Sequence, residues 1–349
     1  MSGRDASSAP VVVVTGGSGY LGRTLVEQLL TRSDALAPRE VRVFDRAPSR
    51  HGDRPGLRAI RGDVRSLRGV REAVRGADLV FHCAATVDWG RVSDRELEAV
   101  NVGGTETVLE ACRREGVGAV VHTSSIDAVY GGDPVIDGDE TLPYPIRYPS
   151  TYGRTKAESE RRALDANDGA LRTTVVRPCC IFGEADPWHA RPLLEMAERG
   201  RLIRIGDGRA RSQWSYVGNV AHLHRLAGAS LLAPEAKAAG ERYFVTDVEP
   251  ANFFAFLAPF LEAAGHRMPR WSLPRAPLYA LGATFEGAAR LVPEPFRPKP
   301  TLTRFAVDFV TQDFTIRTDK AALELGYRPL YPPDEALART TAWYAGLRG

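Results

Sequence analysis

The run Val11-Val12-Val13-Val14-Thr15-Gly16-Gly17-Ser18-Gly19-Tyr20-Leu21-Gly22 holds a strand, a glycine-rich turn and the start of a helix in immediate succession. Four β-branched residues in a row make a strand that is apolar on both faces, and the helical spacing of apolar residues then continues over Leu21–Thr31. Between them, Gly16, Gly19 and Gly22 form a Gly-x-x-Gly-x-x-Gly pattern. Such glycines permit a tight turn, let the backbone approach a pyrophosphate, and allow close helix–strand packing. The helix N-terminus adds free N–H groups and a positive dipole, so the element reads as a dinucleotide cradle that includes Tyr20 and Leu21.

Outward from this unit the same alternation repeats. Val41–Asp45, Leu57–Arg61, Leu79–His82, Ala119–Thr123 and Thr173–Val176 read as strands, and Leu67–Arg75, Asp94–Glu115 and Tyr152–Asp165 as helices between them. Buried strands separated by helices imply a doubly wound parallel α/β sheet. Beyond Pro178 the pattern loosens into helices at Arg191–Arg199, Asn219–Leu232 and Phe253–Ala264, with proline-rich stretches at 267–277 and 293–300. Glu241–Thr246 is apolar enough to rejoin the sheet. The expected organisation is a disordered tail over 1–10, a dinucleotide domain over 11–178 to which 217–246 returns, and an interleaved C-terminal lobe over 179–216 and 247–349.

Composition narrows the function classes. The 349 residues carry 46 Lys+Arg against 43 Asp+Glu, a formal charge of +3, and 44% are hydrophobic. Basic residues cluster no further than pairs such as Arg113-Arg114 and Arg161-Arg162, too sparse for a groove that tracks phosphates, which argues against nucleic acid as a partner. Cys83, Cys112, Cys179 and Cys180 lack paired CxxC spacing, so no metal site is expected and a cytoplasmic setting fits. The polar residues 1–10 do not form a signal peptide, and no segment reads as a transmembrane span. Leu278–Val292, interrupted by Glu286 and Arg290, reads as an amphipathic helix over a pocket, with peripheral membrane contact as a second reading.

The strand ends carry the chemistry. Asp45 closes the second strand, where a carboxylate accepts hydrogen bonds from the ribose hydroxyls of NAD and repels the 2′-phosphate of NADP; Arg46 beside it is the residue that would instead pair with that phosphate. Asp63 and Val64 follow the third strand, with Asp63 facing the adenine edge or serving as a turn and capping residue. Cys83, Ala84 and Ala85 follow the fourth, small enough to let backbone lie against a coenzyme, whereas His82 reads as a packed strand-end residue.

Tyr152 and Lys156 lie four apart, on one face of a helix. A neighbouring ammonium favours the ionised phenol, so Tyr152 is expected to have a lowered pKa and to exchange a proton with an alcohol or carbonyl oxygen. Ser125, at the end of the fifth strand, would meet that oxygen in the crevice at the carboxyl ends of the strands; Ser124 is the competing hydroxyl.

These residues resemble the extended short-chain dehydrogenase/reductase superfamily, and within it the 3β-hydroxysteroid dehydrogenase and sterol-4α-carboxylate 3-dehydrogenase family. The resemblance runs from Val11 to about Tyr344, through Val80-Phe81-His82-Cys83-Ala84, Asn101-Val102-Gly103-Gly104-Thr105, Thr123-Ser124-Ser125, Arg177-Pro178-Cys179-Cys180-Ile181-Phe182-Gly183 and Lys320 to Pro329. It implies a Rossmann domain with a substrate lobe, a homodimer, and a Ser125, Tyr152, Lys156 triad in which the lysine also holds the nicotinamide ribose. Pro178 and Ile181 would line the nicotinamide, and Asn101 would support the site.

Sugar-nucleotide epimerases and dehydratases share that dinucleotide domain, but many carry Arg-Tyr-Phe-Asn and Gly-x-Gly-x-x-x-Arg-Asp-Phe where this chain has Cys180, then Gly206-Asp207-Gly208 and Ser212-Gln213-Trp214. The groups expected to hold a charged diphosphate are therefore missing. Trp89, Phe182, Trp188, Trp214, Tyr216, Tyr279 and Phe285 are candidates to cover a hydrophobic substrate, with core filling as the alternative for each. Arg147 and Arg211 are candidates for a substrate carboxylate. The expected function is an NAD-dependent interconversion of a secondary alcohol and a ketone on a steroid-like molecule, with decarboxylation open. Alternatives are a long-chain β-keto acid reductase, a sugar-nucleotide epimerase or dehydratase, and a non-catalytic dinucleotide-binding protein.

Overall fold

In the computed structural model, residues 9–87, 92–292, 298 and 302–348 are described. The first half alternates as expected: β1 (Val11–Thr15), α1 (Tyr20–Thr31), β2 (Glu40–Asp45), β3 (Leu57–Arg61), α2 (Leu67–Val74), β4 (Leu79–His82), α3 (Asp94–Leu97), α4 (Gly104–Glu115) and β5 (Ala119–Thr123). After these come β6 (Val135–Gly138), α5 (Thr151–Asp165), β7 (Arg172–Pro178), β8 (Cys180–Phe182), α6 (Ala190–Glu198), β9 (Trp214–Tyr216), α7 (Val217–Leu232) and β10 (Arg242–Val245). The chain closes with α8 (Phe253–Ala263), α9 (Arg275–Arg290), α10 (Arg304–Thr311), β11 (Phe314–Ile316), α11 (Asp319–Leu325) and α12 (Pro333–Ala345).

Seven strands form one sheet in the order β10-β7-β5-β4-β1-β2-β3, every neighbouring pair parallel. β1 sits near the middle, and the two-residue period of a strand divides it between two cores. Val12 and Val14 pack with Leu25 and Leu29 of α1 and Val220 of α7, while Val11 and Val13 pack on the opposite face with Val70 of α2 and Val108 of α4. Each such buried side chain contributes roughly 1.5–3 kcal/mol, which is why the strand must be apolar on both sides.

One feature of this half departs from the sequence reading. The single helix expected over Asp94–Glu115 is broken at Glu98–Gly103 by a π-helical stretch, a widened turn typical of functional sites. It presents Asn101, whose amide donates to Thr86 O and to Thr155 Oγ1 and accepts from Thr86 N, so one side chain clamps the loop after β4 to α5.

The second lobe rests on two small parallel pairs, β8 with β9 and β11 with β6. Beneath β8 and β9 lies an aromatic core in which Trp214 stacks on Phe256 at 4.2 Å between ring centres and Phe182 meets Phe256 edge-on at 5.0 Å. The helix expected at Leu278–Val292 is α9, and none of its described residues lines the cleft at the carboxyl ends of the strands. It forms an outer layer on α10, tied by Arg275–Asp308 and Glu286–Arg304 ion pairs at 2.7 and 2.8 Å, and α10 supplies the inner face. Among the described residues, no helix is long and apolar enough to cross a membrane.

Candidate active site

A cleft of about 370 Å³ opens along the carboxyl ends of β1, β2, β4 and β5, where ligands of open α/β sheets bind. The glycine loop forms its floor. Gly16 has φ +69°, and a Cβ there would lie 2.7 Å from the backbone of Ala84; a Cβ on Gly22 would strike the carbonyl of Gly16. Both positions need glycine for these approaches. Gly19 caps α1 without any side-chain hydrogen bond and the first turn contains no acid, so the N–H groups of that turn face the cleft as an anion cradle.

At the far end, Asp45 lines the cleft with Oδ2 accepting from Ser18 N at 3.0 Å and Oδ1 from Ala47 N at 2.9 Å. Arg46, 61% exposed, leans toward Asp63 at 4.0 Å and Glu96 at 3.8 Å. Its charge is thus shared with acids, and the environment favours ribose hydroxyls over a 2′-phosphate. Asp63 borders the cleft, and its Oδ1 accepts from Arg65 N in the turn before α2, whose cap is Ser66. Val64, Cys83, Ala84, Ala85, Pro178 and Ile181 also line the cleft, as do Tyr20 and Leu21. These contours fit a dinucleotide. His82 does not reach the cleft; buried between Thr15 and Thr105, it is driven down to about 3 by desolvation, with Lys156 adding to the effect.

Ser125, Tyr152 and Lys156 converge at the inner end. α5 begins at Ser150, whose hydroxyl accepts from Gly153 N, and this cap fixes the first turn that carries Tyr152. Lys156, 2% exposed, donates from Nζ to Thr123 O at 2.5 Å, and burial pushes its ammonium down to about 8. The two serines part company as strand alternation requires. Ser125 Oγ lines the cleft, whereas Ser124 Oγ donates to Glu160 Oε2 at 2.6 Å in a buried network with Arg177 and Tyr144.

One electrostatic expectation is reversed. Burial pushes the Tyr152 phenol above its ordinary value, the Asp127 carboxylate pushes it further, and only the Ser125 hydroxyl pulls it back. The lysine ammonium donates to Thr123 O, and desolvation is the largest influence on the phenol.

The aromatic candidates divide. Trp188 lines the cleft. Phe182 and Trp214 lie fully buried in the aromatic core instead, because β8 and β9 turn these side chains away from the sheet ends toward α8. Tyr216 is likewise buried, bonded to Glu184; Tyr279 lies under the Arg275 guanidinium and Phe285 is 43% exposed on α9. Trp89 falls outside the described residues. Arg147 is exposed, and Arg211, also exposed, donates to Pro250 O, so neither borders the cleft.

Several cleft residues carried no sequence signal of their own. Phe305 and Phe309 come from α10, and His189 and Asp127 complete the inner wall. Burial opposes the charge on His189, yet Asp186, 3.4 Å away, outweighs it and raises the imidazole to about 10. Asp127 sits two residues beyond Ser125 and accepts its hydroxyl at 2.8 Å; a Ser-x-Asp spacing at a strand end was the available clue.

Comparison with known proteins agrees with this geometry. A family model described as the 3-beta hydroxysteroid dehydrogenase/isomerase family matches residues 13–275. A 3 beta-hydroxysteroid dehydrogenase/Delta 5-->4-isomerase of Mycobacterium tuberculosis is 39% identical, the match covering 96% of this chain and 90% of that protein. A decarboxylating sterol-4-alpha-carboxylate 3-dehydrogenase of Mus musculus is 34% identical over 99% of this chain and 93% of its own. Among solved structures, the UDP-glucose 4-epimerase of Thermus thermophilus in complex with NAD superimposes with a TM-score of 0.71 at 27% identity, covering 96% of this chain and 99% of that one. Coverage this complete leaves one assignment: the chain belongs to the 3-beta hydroxysteroid dehydrogenase/isomerase family of NAD-dependent oxidoreductases acting on CH–OH groups.

Proposed function

We propose that the protein interconverts a 3β-hydroxyl and a 3-ketone on a steroid or sterol-like substrate, with Ser125, Tyr152 and Lys156 as its catalytic residues. The observation that carries the hydrophobic substrate is the cleft's charge inventory. Among its described lining residues the guanidinium and ammonium groups are Arg46, at the adenosine end, and Lys156. A sugar-linked diphosphate would need a second cationic cluster at the inner end. Beside the His189 imidazole, paired with Asp186, and the Asp127 carboxylate, that end is bounded by Val87, Ile126, Trp188, Phe305 and Phe309, a surface suited to a fused hydrocarbon ring system.

NAD would rest on the glycine loop and Asp45, with Ala84, Pro178 and Ile181 along its length, and when bound it supplies the hydride acceptor. The chain's own work is at the substrate oxygen. Ser125 Oγ positions that oxygen, and a proton passes between it and Tyr152 Oη, outward in ketone reduction and inward in alcohol oxidation. The buried Lys156 ammonium supplies positive potential at the point where negative charge develops on the phenol and the substrate oxygen. Incubating the purified protein with NAD or NADP and a panel of hydroxy- and ketosteroids tests this reading: NAD-dependent absorbance change with 3β-hydroxysteroids is expected, and none with any steroid would reject it.

A further inference from the structure

Ser125 faces the cleft with less freedom than a lone hydroxyl. It caps the single turn of helix, Ile126–Val129, that follows it: its Oγ accepts from Asp127 N at 3.2 Å and donates its one proton to Asp127 Oδ2 at 2.8 Å. A hydroxyl has one donor and two acceptor sites, so a single lone pair is left toward the cleft. The side chain at hand for it is Tyr152, whose phenol is within hydrogen-bonding reach of the Ser125 hydroxyl. Phenol, serine and carboxylate therefore stand in series, each O–H pointing to the next oxygen and the last of them to Asp127.

The carboxylate does more than cap a turn, since the bond from Asp127 N already satisfies that geometry. Asp127 is partly exposed, and it borders both the cleft and the small hollow beneath α10 that Tyr130, Gln312 and Asp308 also line. It thus joins the catalytic hydroxyls on one side to solvent on the other. Desolvation raises its pKa above the ordinary carboxylate value, with the Ser125 bond and the His189 charge pulling the other way, which suits a group that takes up a proton and gives it back.

Lys156 offers the phenol no such outlet. It is 2% exposed, and its Nζ donates to Thr123 O, a carbonyl with no proton to pass on. Burial and the Asp127 charge hold Tyr152 above its ordinary value, so a charge left on the phenol is unfavourable. A phenol in that setting accepts a proton from an alcohol most readily as its own moves on.

We propose that the proton released in alcohol oxidation leaves the cleft along Tyr152, Ser125 and Asp127. The substrate O–H bond breaks as a new Oη–H bond forms on Tyr152; the phenol's former proton passes to Ser125 Oγ, and the serine's to Asp127 Oδ2, which is neutralised. The electron pair of the substrate C–H bond leaves with its hydrogen as hydride to the bound coenzyme, so the alcohol loses one proton and one hydride and becomes the ketone. Every O–H in the series then points back toward the substrate, and the phenol donates to the ketone oxygen. Asp127 finally yields its proton to water, and ketone reduction runs the same path in reverse. Asp127 does not touch the substrate and acts through Ser125. The relay rests on the oxidoreductase reading, which places Ser125 and Tyr152 at the reacting oxygen.

The test uses the purified full-length protein with NAD and a 3β-hydroxysteroid. Asp127→Asn keeps an oxygen that accepts from Ser125 but cannot take up a proton, and Asp127→Ala leaves room for a small carboxylate. Fluorescence titration should show both variants binding NAD within about threefold of wild type. Their kcat for oxidation is expected to fall about tenfold to 100-fold while KM for the steroid stays within about threefold. The solvent deuterium isotope effect on kcat should rise in Asp127→Asn, and added formate should restore part of kcat in Asp127→Ala while leaving wild type unchanged. Oxidation by Asp127→Asn within about threefold of wild type, a loss confined to KM, or an Asp127→Ala variant indifferent to formate would overturn the relay. Wild-type protein that oxidises no 3β-hydroxysteroid would overturn the reading beneath it instead.

Discussion

At Lys156 the protein keeps a charge where water is excluded. The ammonium has Thr123 O as its hydrogen-bond partner, and Glu160 one helical turn on lends only a modest favourable potential, because that carboxylate is already bound to Arg177, Ser124 and Tyr144. With a pKa near 8 in the folded chain against 10.5 for an ordinary lysine, the folded protein releases this proton before the unfolded one does. The unfolded state then binds more protons between those values, so stability rises with pH across that window and the cost of the charge is fully present below it. Comparison with Lys156→Met isolates this term. Wild type should gain about 2 kcal/mol on the variant between pH 7 and pH 9.5 in denaturant titrations; a difference independent of pH would show the ammonium to be well solvated. Residues of this kind were legible in type but not in state. Tyr-x-x-x-Lys at a helix start identified the pair, whereas the depth of burial that raises Tyr152 and lowers Lys156 depends on how α5 packs against segments distant in sequence, which no local spacing encodes.

Among the elements, the β1–α1 turn is the most constrained. Its glycines are set by contact with Ala84 at one side and by the turn's own carbonyl at the other, so the loop after β4 and the turn after β1 form one surface. Gly16→Ala combines a positive φ with a Cβ inside that contact and should cost about 1–3 kcal/mol of stability. It should also weaken NAD binding by about tenfold or more as the loops separate, measured by fluorescence titration; unchanged affinity would mean the coenzyme does not use this approach. The strands that build this unit were readable because burial on both faces leaves continuous β-branched runs. The break at Glu98–Gly103 was not, since a π-helical turn alters backbone pitch without interrupting the apolar pattern. The pairs β6–β11 and β8–β9 escaped for a different reason: each strand is short, and its partner is distant in sequence, so neither has a period long enough to read.

Over the whole molecule, the sheet presents the proposed coenzyme contacts along its carboxyl ends while the second lobe closes the inner end with α10 and the segment around Trp188 and His189. Phe182 and Trp214 hold that lobe together rather than touching a ligand, because an irregular lobe of short strands depends on a dense aromatic core. Sequence composition could name these aromatics but not sort them, since core and cleft draw on the same residue types. The sheet ends of the dinucleotide domain bring Ser125, Tyr152 and Lys156 together with the glycine loop in one cleft, the second lobe walls its inner end, and the proposed chemistry depends on that meeting. Tyr152→Phe removes a single oxygen from that meeting and leaves the rest of the wall in place. The variant should bind NAD with wild-type affinity yet form NADH from a 3β-hydroxysteroid at least about 100-fold more slowly. Near-normal turnover by Tyr152→Phe would contradict the account.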